Sequence, residues 1–208
     1  LLERQEQLMR IGRDVSNKEV DPQEFIVQAE ALVNQYPELM AVSWIDSKRR
    51  VHVSYVSPSA NASQLRSPGE QLKVDETDGT YELARDLRQP VYSRPLLIQD
   101  SSHHNATSLQ LQVPLDDQGQ FAGVIMGEFS VDGLLRFGIP TEITAKYAVA
   151  LVDANNRVLA GTQLPPGNRA AHLLPWAENA ARYEIPVSPV GNGLLIRAEG
   201  YRASLGVV

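Results

Sequence analysis

The chain has 208 residues, 43% of them hydrophobic and 21% charged, the balance of a folded globular protein and not of a disordered one. A net charge of −6 with no basic stripe disfavours nucleic-acid binding. The absence of cysteine excludes a disulfide framework, a thiolate metal site and a cysteine nucleophile. No apolar run approaches the roughly 18 residues that span a bilayer. The chain starts at Leu1 already in helical pattern and stops in Gly206-Val207-Val208 as it turns apolar, as expected of a segment lying between two membrane spans.

In chain order, residues 1–16 read as a helix with a narrow apolar seam of Leu1, Leu8, Ile11 and Val15. Asp21, Pro22 and Glu24 spell a capped helix start, after which Phe25, Ile26, Ala29, Leu32 and Val33 form a buried face that ends before Pro37. Leu39–Asp46 reads as a strand, Ser47–Arg50 as its turn, and Val51, Val53 and Tyr55 as one face of the return strand. Residues 57–72 are loop, 75–89 a helix stopped by Pro90, and VYSRPLLI a further strand. After a turn at SSHHN, LQLQVPL and FAGVIMGEFSV form an antiparallel pair across Asp116-Asp117-Gln118-Gly119, and a helix from Asp132 leads to Pro140. A second unit runs from Lys146 to about Tyr201, with a hairpin, a Pro-rich loop, a short helical stretch at 176–181 and the pair YEIPVSP and GLLIRAEGY.

The two units repeat one another. AVSWIDSKRRV (41–51) returns as AVALVDANNRV (148–158) at an offset of 107, and Val113-Pro114-Leu115 with Gly119 returns as Ile185-Pro186-Val187 with Gly191 at an offset of 72. The second copy is therefore shorter by 35 residues between its two hairpins. The expected fold class is α+β: two tandem PAS-like units, each an antiparallel sheet flanked by helices. The expected boundaries are 1–36 for the N-terminal helices, 37–138 for the first unit and 139–208 for the smaller second one.

The ordering of these elements resembles the double Cache (double PDC) family of tandem PAS-like sensor domains in bacterial histidine kinases, chemoreceptors and diguanylate cyclases. The segment that carries the resemblance is TYELARDLRQPVYSRPLL with LQLQVPLDDQGQFAGVIMGEFSVDGLL, within residues 80–135. The resemblance implies an extracytoplasmic domain flanked by membrane spans, a ligand-holding first unit, a second unit that leads toward the membrane, and an N-terminal helix able to pair with its twin in a homodimer. It implies a sensor histidine kinase first; the residues themselves show no nucleophile elbow, phosphate cradle or metal-ligand cluster, so no enzymatic activity, cofactor or metal is expected in this portion.

By the same resemblance, Tyr81 matches the second aromatic of a helix-borne pair, Leu96 a position where many members place a ligand-facing Tyr, and Glu128 the acid that meets a ligand ammonium. The sequence departs from the amino-acid binders in having no Arg within 74–79 and Thr80 in place of a Trp. Period-two alternation puts Tyr92, Arg94 and Leu96 on one strand face. Arg94 is suited to clamp a carboxylate, or alternatively to pair with Glu128. Gln110 and Gln112 form either a pocket row or a solvent row, and Trp44 is core or pocket wall. The expected ligand is a small organic molecule, a carboxylate first; the other reading is a ligand-free module that works through dimerisation or a protein partner. His103 and His104, adjacent in a turn, lack the surrounding ligands of a metal site.

Overall fold

A computed structural model of the chain describes residues 2–60, 66–73, 79–99, 105–162, 182–187 and 193–201. The fold divides between Gly138 and Ile139 into two compact units. In the first, helix α1 (Leu2–Ser16) buries Leu8, Ile11, Gly12 and Val15. Helix α2 (Pro22–Gln35) is fixed by the capping box that its sequence spells. Asp21 Oδ1 accepts from the amides of Gln23 (2.8 Å) and Glu24 (2.9 Å), and Glu24 accepts from the Asp21 amide in return (3.2 Å). Phe25, Ala29, Leu32 and Val33 make its buried stripe, but Ile26 is 37% exposed. The stripe is narrower than its apolar residues suggest, and Ile26 lies beside it.

Six strands form the sheet of the first unit: β1 (Leu39–Asp46), β2 (Val51–Val56), β3 (Val91–Tyr92), β4 (Leu96–Gln99), β5 (Asn105–Asp117) and β6 (Gln120–Ser130). Their order is β2-β1-β6-β5-β3, with β4 also on β5, and every pairing is antiparallel. The β5–β6 turn is closed by Gln118 (φ 53°) and Gly119 (φ 82°), both left-handed as a two-residue hairpin requires. Both N-terminal helices pack on one face of the sheet, α1 over β5 and β6 and α2 over β1 and β2. The N-terminal helices thus belong to the body of the first unit. Helix α3 (Thr80–Leu87) packs on β5, β6 and β3, where Tyr81 and Ala84 join a buried cluster with Ile45, Val51, Leu72, Val91, Val124 and Met126.

This α3 runs from Thr80 to Leu87, shorter than the 75–89 read from sequence. Gly79 sits at φ 73°, outside helical geometry, and Arg88 closes the far end in the left-handed region; residues 74–78 lie outside the described residues. So do the SSHHN turn up to His104 and the stretch 176–181. Helix α4 (Val131–Gly138) ends the first unit.

The second unit holds the short helix α5 (Thr141–Thr144) and the strands β7 (Tyr147–Val152), β8 (Val158–Gly161), β9 (Arg182–Pro186) and β10 (Leu195–Gly200), in the order β8-β7-β10-β9. That order matches β2-β1-β6-β5 strand for strand, so the sequence repeat marks equivalent positions in two sheets. The front hairpins agree in detail. Asp46 Oδ1 accepts from the amides of Lys48 and Arg50, both at 2.8 Å, and Asp153 Oδ1 from those of Asn155 and Arg157, both at 2.9 Å. Arg49 (φ 64°) and Asn156 (φ 65°) occupy the same left-handed position. The repeated aspartate is there to shape the turn.

Candidate functional site

The sheet of the first unit has two unlike faces. Toward α1 and α2 it presents Leu109, Leu111 and Val113 from β5, and Gly12 of α1 comes close enough that a Cβ there would meet Val113, Leu115 and Ile125. On the opposite face β5 presents Ser108, Gln110 and Gln112. Gln112 stands across from Met126 on one side and Val91 on the other, both in the cluster under α3, and Gln110 stands across from Glu128. Ser108, Gln110, Gln112 and Glu128 are all at most 2% exposed. The glutamine row therefore faces the interior, and of the two sequence readings the solvent-facing one is set aside.

These side chains form a chain of contacts. Gln112 Nε2 donates to Gln110 Oε1 at 3.3 Å, Gln110 Nε2 donates to Glu128 Oε1 at 3.3 Å, and Arg66 Nη2 lies 3.6 Å from the same Glu128 oxygen. Every link is longer than the usual 2.9–3.0 Å for N–H···O. Gln112 Oε1 and Ser108 Oγ are buried without a hydrogen-bond partner among the described residues, as is Thr80 Oγ1 at the start of α3. On the same face, Ser43 and Ser54 share a 2.7 Å hydrogen bond one strand further out.

Tyr81 belongs to this face. Its hydroxyl donates to the Asp46 carbonyl at 2.6 Å, its ring lies under the Arg49 guanidinium at 5.1 Å, and Arg49 is ion-paired with Glu82. Burial and the nearby Asp46 charge push the Tyr81 hydroxyl up to about 12.

The expected common face of Tyr92, Arg94 and Leu96 is corrected by the structure. Tyr92 pairs with Leu111 and Leu96 with Ser108, so four residue steps on the edge strand match three on β5. That extra residue is a bulge, and a bulge reverses the alternation beyond it. Leu96 accordingly stands beside Ser108 on the polar face, whereas Tyr92 stands with Leu111 on the α1 face and is fully buried. Burial pushes the Tyr92 hydroxyl well up, against an opposing pull from Arg4 of α1. Arg94 is exposed in the bulge itself. Ser93 holds this bulge: its amide donates to Gln110 O (2.8 Å), its Oγ accepts from the Gln110 amide (2.9 Å) and donates to Arg94 O (2.7 Å).

Trp44 also belongs to the helix face. Its ring packs against Phe25 of α2 (centroids 6.0 Å apart) and against His52 (4.6 Å). It lines a cleft of about 280 Å³ with Val15, Val20 and Leu115, on the far side of the sheet from the glutamines. The structure thus gathers Tyr81, Leu96, Gln110, Gln112 and Glu128 on one face and leaves Trp44 and Tyr92 on the other. Sequence reasoning missed Arg66, Ser93 and Ser108. Arg66 lies in a Ser- and Pro-rich loop where nothing marks one basic residue as buried. Among the described residues, no group of three or more His, Asp or Glu is placed to hold a metal, and no helix is long and apolar enough to cross a membrane.

No protein-family model and no curated protein matches the chain. Solved structures do. The chain is similar to the ligand-binding domain of the Pseudomonas aeruginosa amino-acid chemoreceptor PctB in complex with L-Arg, at 12% identity over 99% of this chain and 89% of that one, with a TM-score of 0.55. It is similar to the extracellular domain of a protein assigned as a histidine kinase (11% identity, 94% and 86% covered, TM-score 0.59). A domain assigned to the sensory box/GGDEF family from Vibrio parahaemolyticus gives 13% identity, 97% and 88% covered, and a TM-score of 0.59. The chain therefore shares the α+β fold of these domains; at these identities the likeness is one of fold.

Proposed function

We propose that this chain is the extracytoplasmic signal-sensing domain of a transmembrane receptor (a histidine kinase, chemoreceptor or diguanylate cyclase) and that its first unit binds a small organic ligand on the polar face of the sheet. The observation that carries this reading is the buried row Gln112, Gln110, Glu128 and Arg66. A buried polar atom left without a partner costs about 1–3 kcal/mol. Gln112 Oε1 and Ser108 Oγ are two such atoms, on either side of Gln110 along β5, and a ligand's polar groups offset that cost. Tyr81 and Leu96 supply the apolar wall. The guanidinium beside Glu128 is that of Arg66, and Arg94 is exposed.

A ligand shifts a receptor only through different affinities for two states, so the binding face needs a connection to something that moves. Strand β6 supplies one: Glu128 faces the ligand row, and the preceding residue, Gly127, lies against Leu8 of α1 on the other side. In this reading α1 carries the signal and the homodimer contact, and the shortened second unit passes it toward the membrane. Among the fold neighbours, the PctB domain is a ligand-binding domain, in keeping with a portion that senses.

The test is a thermal-shift screen of small polar organic compounds on the wild type, Arg94→Ala and Gln112→Met. Stabilisation present in the first two proteins and lost in Gln112→Met supports the site. A full screen with no stabilisation that depends on Gln112 would refute it and favour a module working through dimerisation or a protein partner.

A further inference from the structure

We infer that the ligand of the first unit is uncharged, of the carboxamide or polyol class, and that Arg66 and Glu128 are counter-ions to each other and not clamps for ligand charge. The inference rests on reading the polar face as the ligand site and specifies the chemistry of its occupant.

The argument is one of charge balance in a dry place. Glu128 is 2% exposed and the Arg66 side chain 9%, and their formal charges cancel. The other ionised pair on this face, Arg49 with Glu82, is balanced in the same way. A carboxylate or an ammonium brought onto the row would add a further buried charge beside a pair that already balances, which is unfavourable in a dry interior. A zwitterion fares little better. Arg66 Nη2 and Glu128 Oε1 are 3.6 Å apart, so its two charges would have to separate the pair before meeting either partner.

Two neutral atoms of the row lack a hydrogen-bond partner among the described residues. Gln112 Oε1 accepts a hydrogen bond, and Ser108 Oγ donates or accepts one. The long 3.3 Å links between Gln112, Gln110 and Glu128 leave the two amide groups able to turn toward a third partner. Val91 and Met126, on either side of Gln112, give the site apolar flanks that disfavour a charge. An amide or hydroxyl-bearing ligand supplies the donor that Gln112 lacks and leaves the ion pair in place.

The experiment compares five probes on the whole chain: glutaramide and xylitol (uncharged), glutamine (zwitterion), glutarate (dianion) and cadaverine (dication). Each is measured by thermal shift on the wild type, Gln112→Met and Ser108→Ala. The expected result is a rise in midpoint of about 3 °C with an uncharged probe at tenfold its Kd, abolished in Gln112→Met and weakened in Ser108→Ala. A larger shift with glutamine, glutarate or cadaverine that vanishes in Gln112→Met overturns this inference and leaves the ligand site standing. No shift that depends on Gln112 or Ser108 with any probe removes the ligand site itself.

Discussion

Leu8 of α1 rests directly on the bare backbone of Gly127 in β6. A Cβ added at Gly127 would lie 2.6 Å from Leu8 Cδ1 and 3.3 Å from Phe129 Cε2. Leu8 is fully buried, so it cannot swing into solvent. Gly127→Ala is expected to lower stability by about 1–3 kcal/mol, the cost of overpacking a filled core. In a Leu8→Ala background the same substitution should cost much less, because its clashing partner is gone. Urea unfolding of the four proteins measures this, and equal costs in both backgrounds would show that Leu8 and Gly127 are not coupled.

The bulge that sorts the edge strand depends on Ser93. Its Oγ satisfies the buried amide of Gln110, whose side chain is part of the ligand row. Ser93→Ala should destabilise the first unit by about 1–3 kcal/mol, the cost of a buried amide left unpaired. It should also reduce any Gln112-dependent ligand shift, because Gln110 loses its register. Retained stability with an unchanged shift would mean that the bulge is held by something else.

Tyr81 carries an alkaline signature. Its hydroxyl is held at about 12, against an ordinary value of 10.0, first by burial and then by the Asp46 charge. Between these values the unfolded chain gives up its proton while the folded one keeps it, so stability present below pH 10 falls as pH rises toward 12. Tyr81→Phe should be less steep over that window in unfolding experiments from pH 9 to about 12, after subtraction of other groups by comparison with wild type. Parallel wild-type and variant curves would sink the assignment.

The repeated turn makes an acid-side prediction. Asp153 is held below its ordinary value of 3.8, chiefly by the hydrogen bond from the Arg157 amide and further by that from Asn155. A depressed carboxylate contributes stability above its unfolded value and loses it as pH falls through the folded one. Amide exchange in the β7–β8 hairpin should accelerate as pH drops below about 4, once the intrinsic pH dependence of exchange is removed. Asp153→Asn should abolish that transition, and a transition of the same size in the variant would place its origin elsewhere.

Much of this was legible in the chain itself. The capping box at Asp21, the left-handed Gln118-Gly119 turn and the two aspartate-closed hairpins are each fixed by residues within a few positions of one another, so local chemistry names them. The duplicated pattern read from AVSWIDSKRRV and AVALVDANNRV proved to be the same strand pair in two sheets of the same order. Tyr81, Gln110, Gln112 and Glu128 could be picked out because an aromatic on a helix and polar residues in apolar strands are conspicuous.

The failures share a cause. Alternation along VYSRPLLI holds only for one continuous strand, and the bulge at Ser93 puts Tyr92 and Leu96 on opposite faces. No residue in that stretch announces a bulge; it follows from how the edge must pair with β5. Arg66 was overlooked for a related reason, because its burial depends on contact with Glu128, 62 positions away in the chain. By itself the sequence determined the α+β class, the duplication, the helix starts and the turns, all governed by short-range geometry. Only the tertiary structure decided which face each polar group occupies and which arginine meets the buried acid, because those depend on strand register and long-range packing.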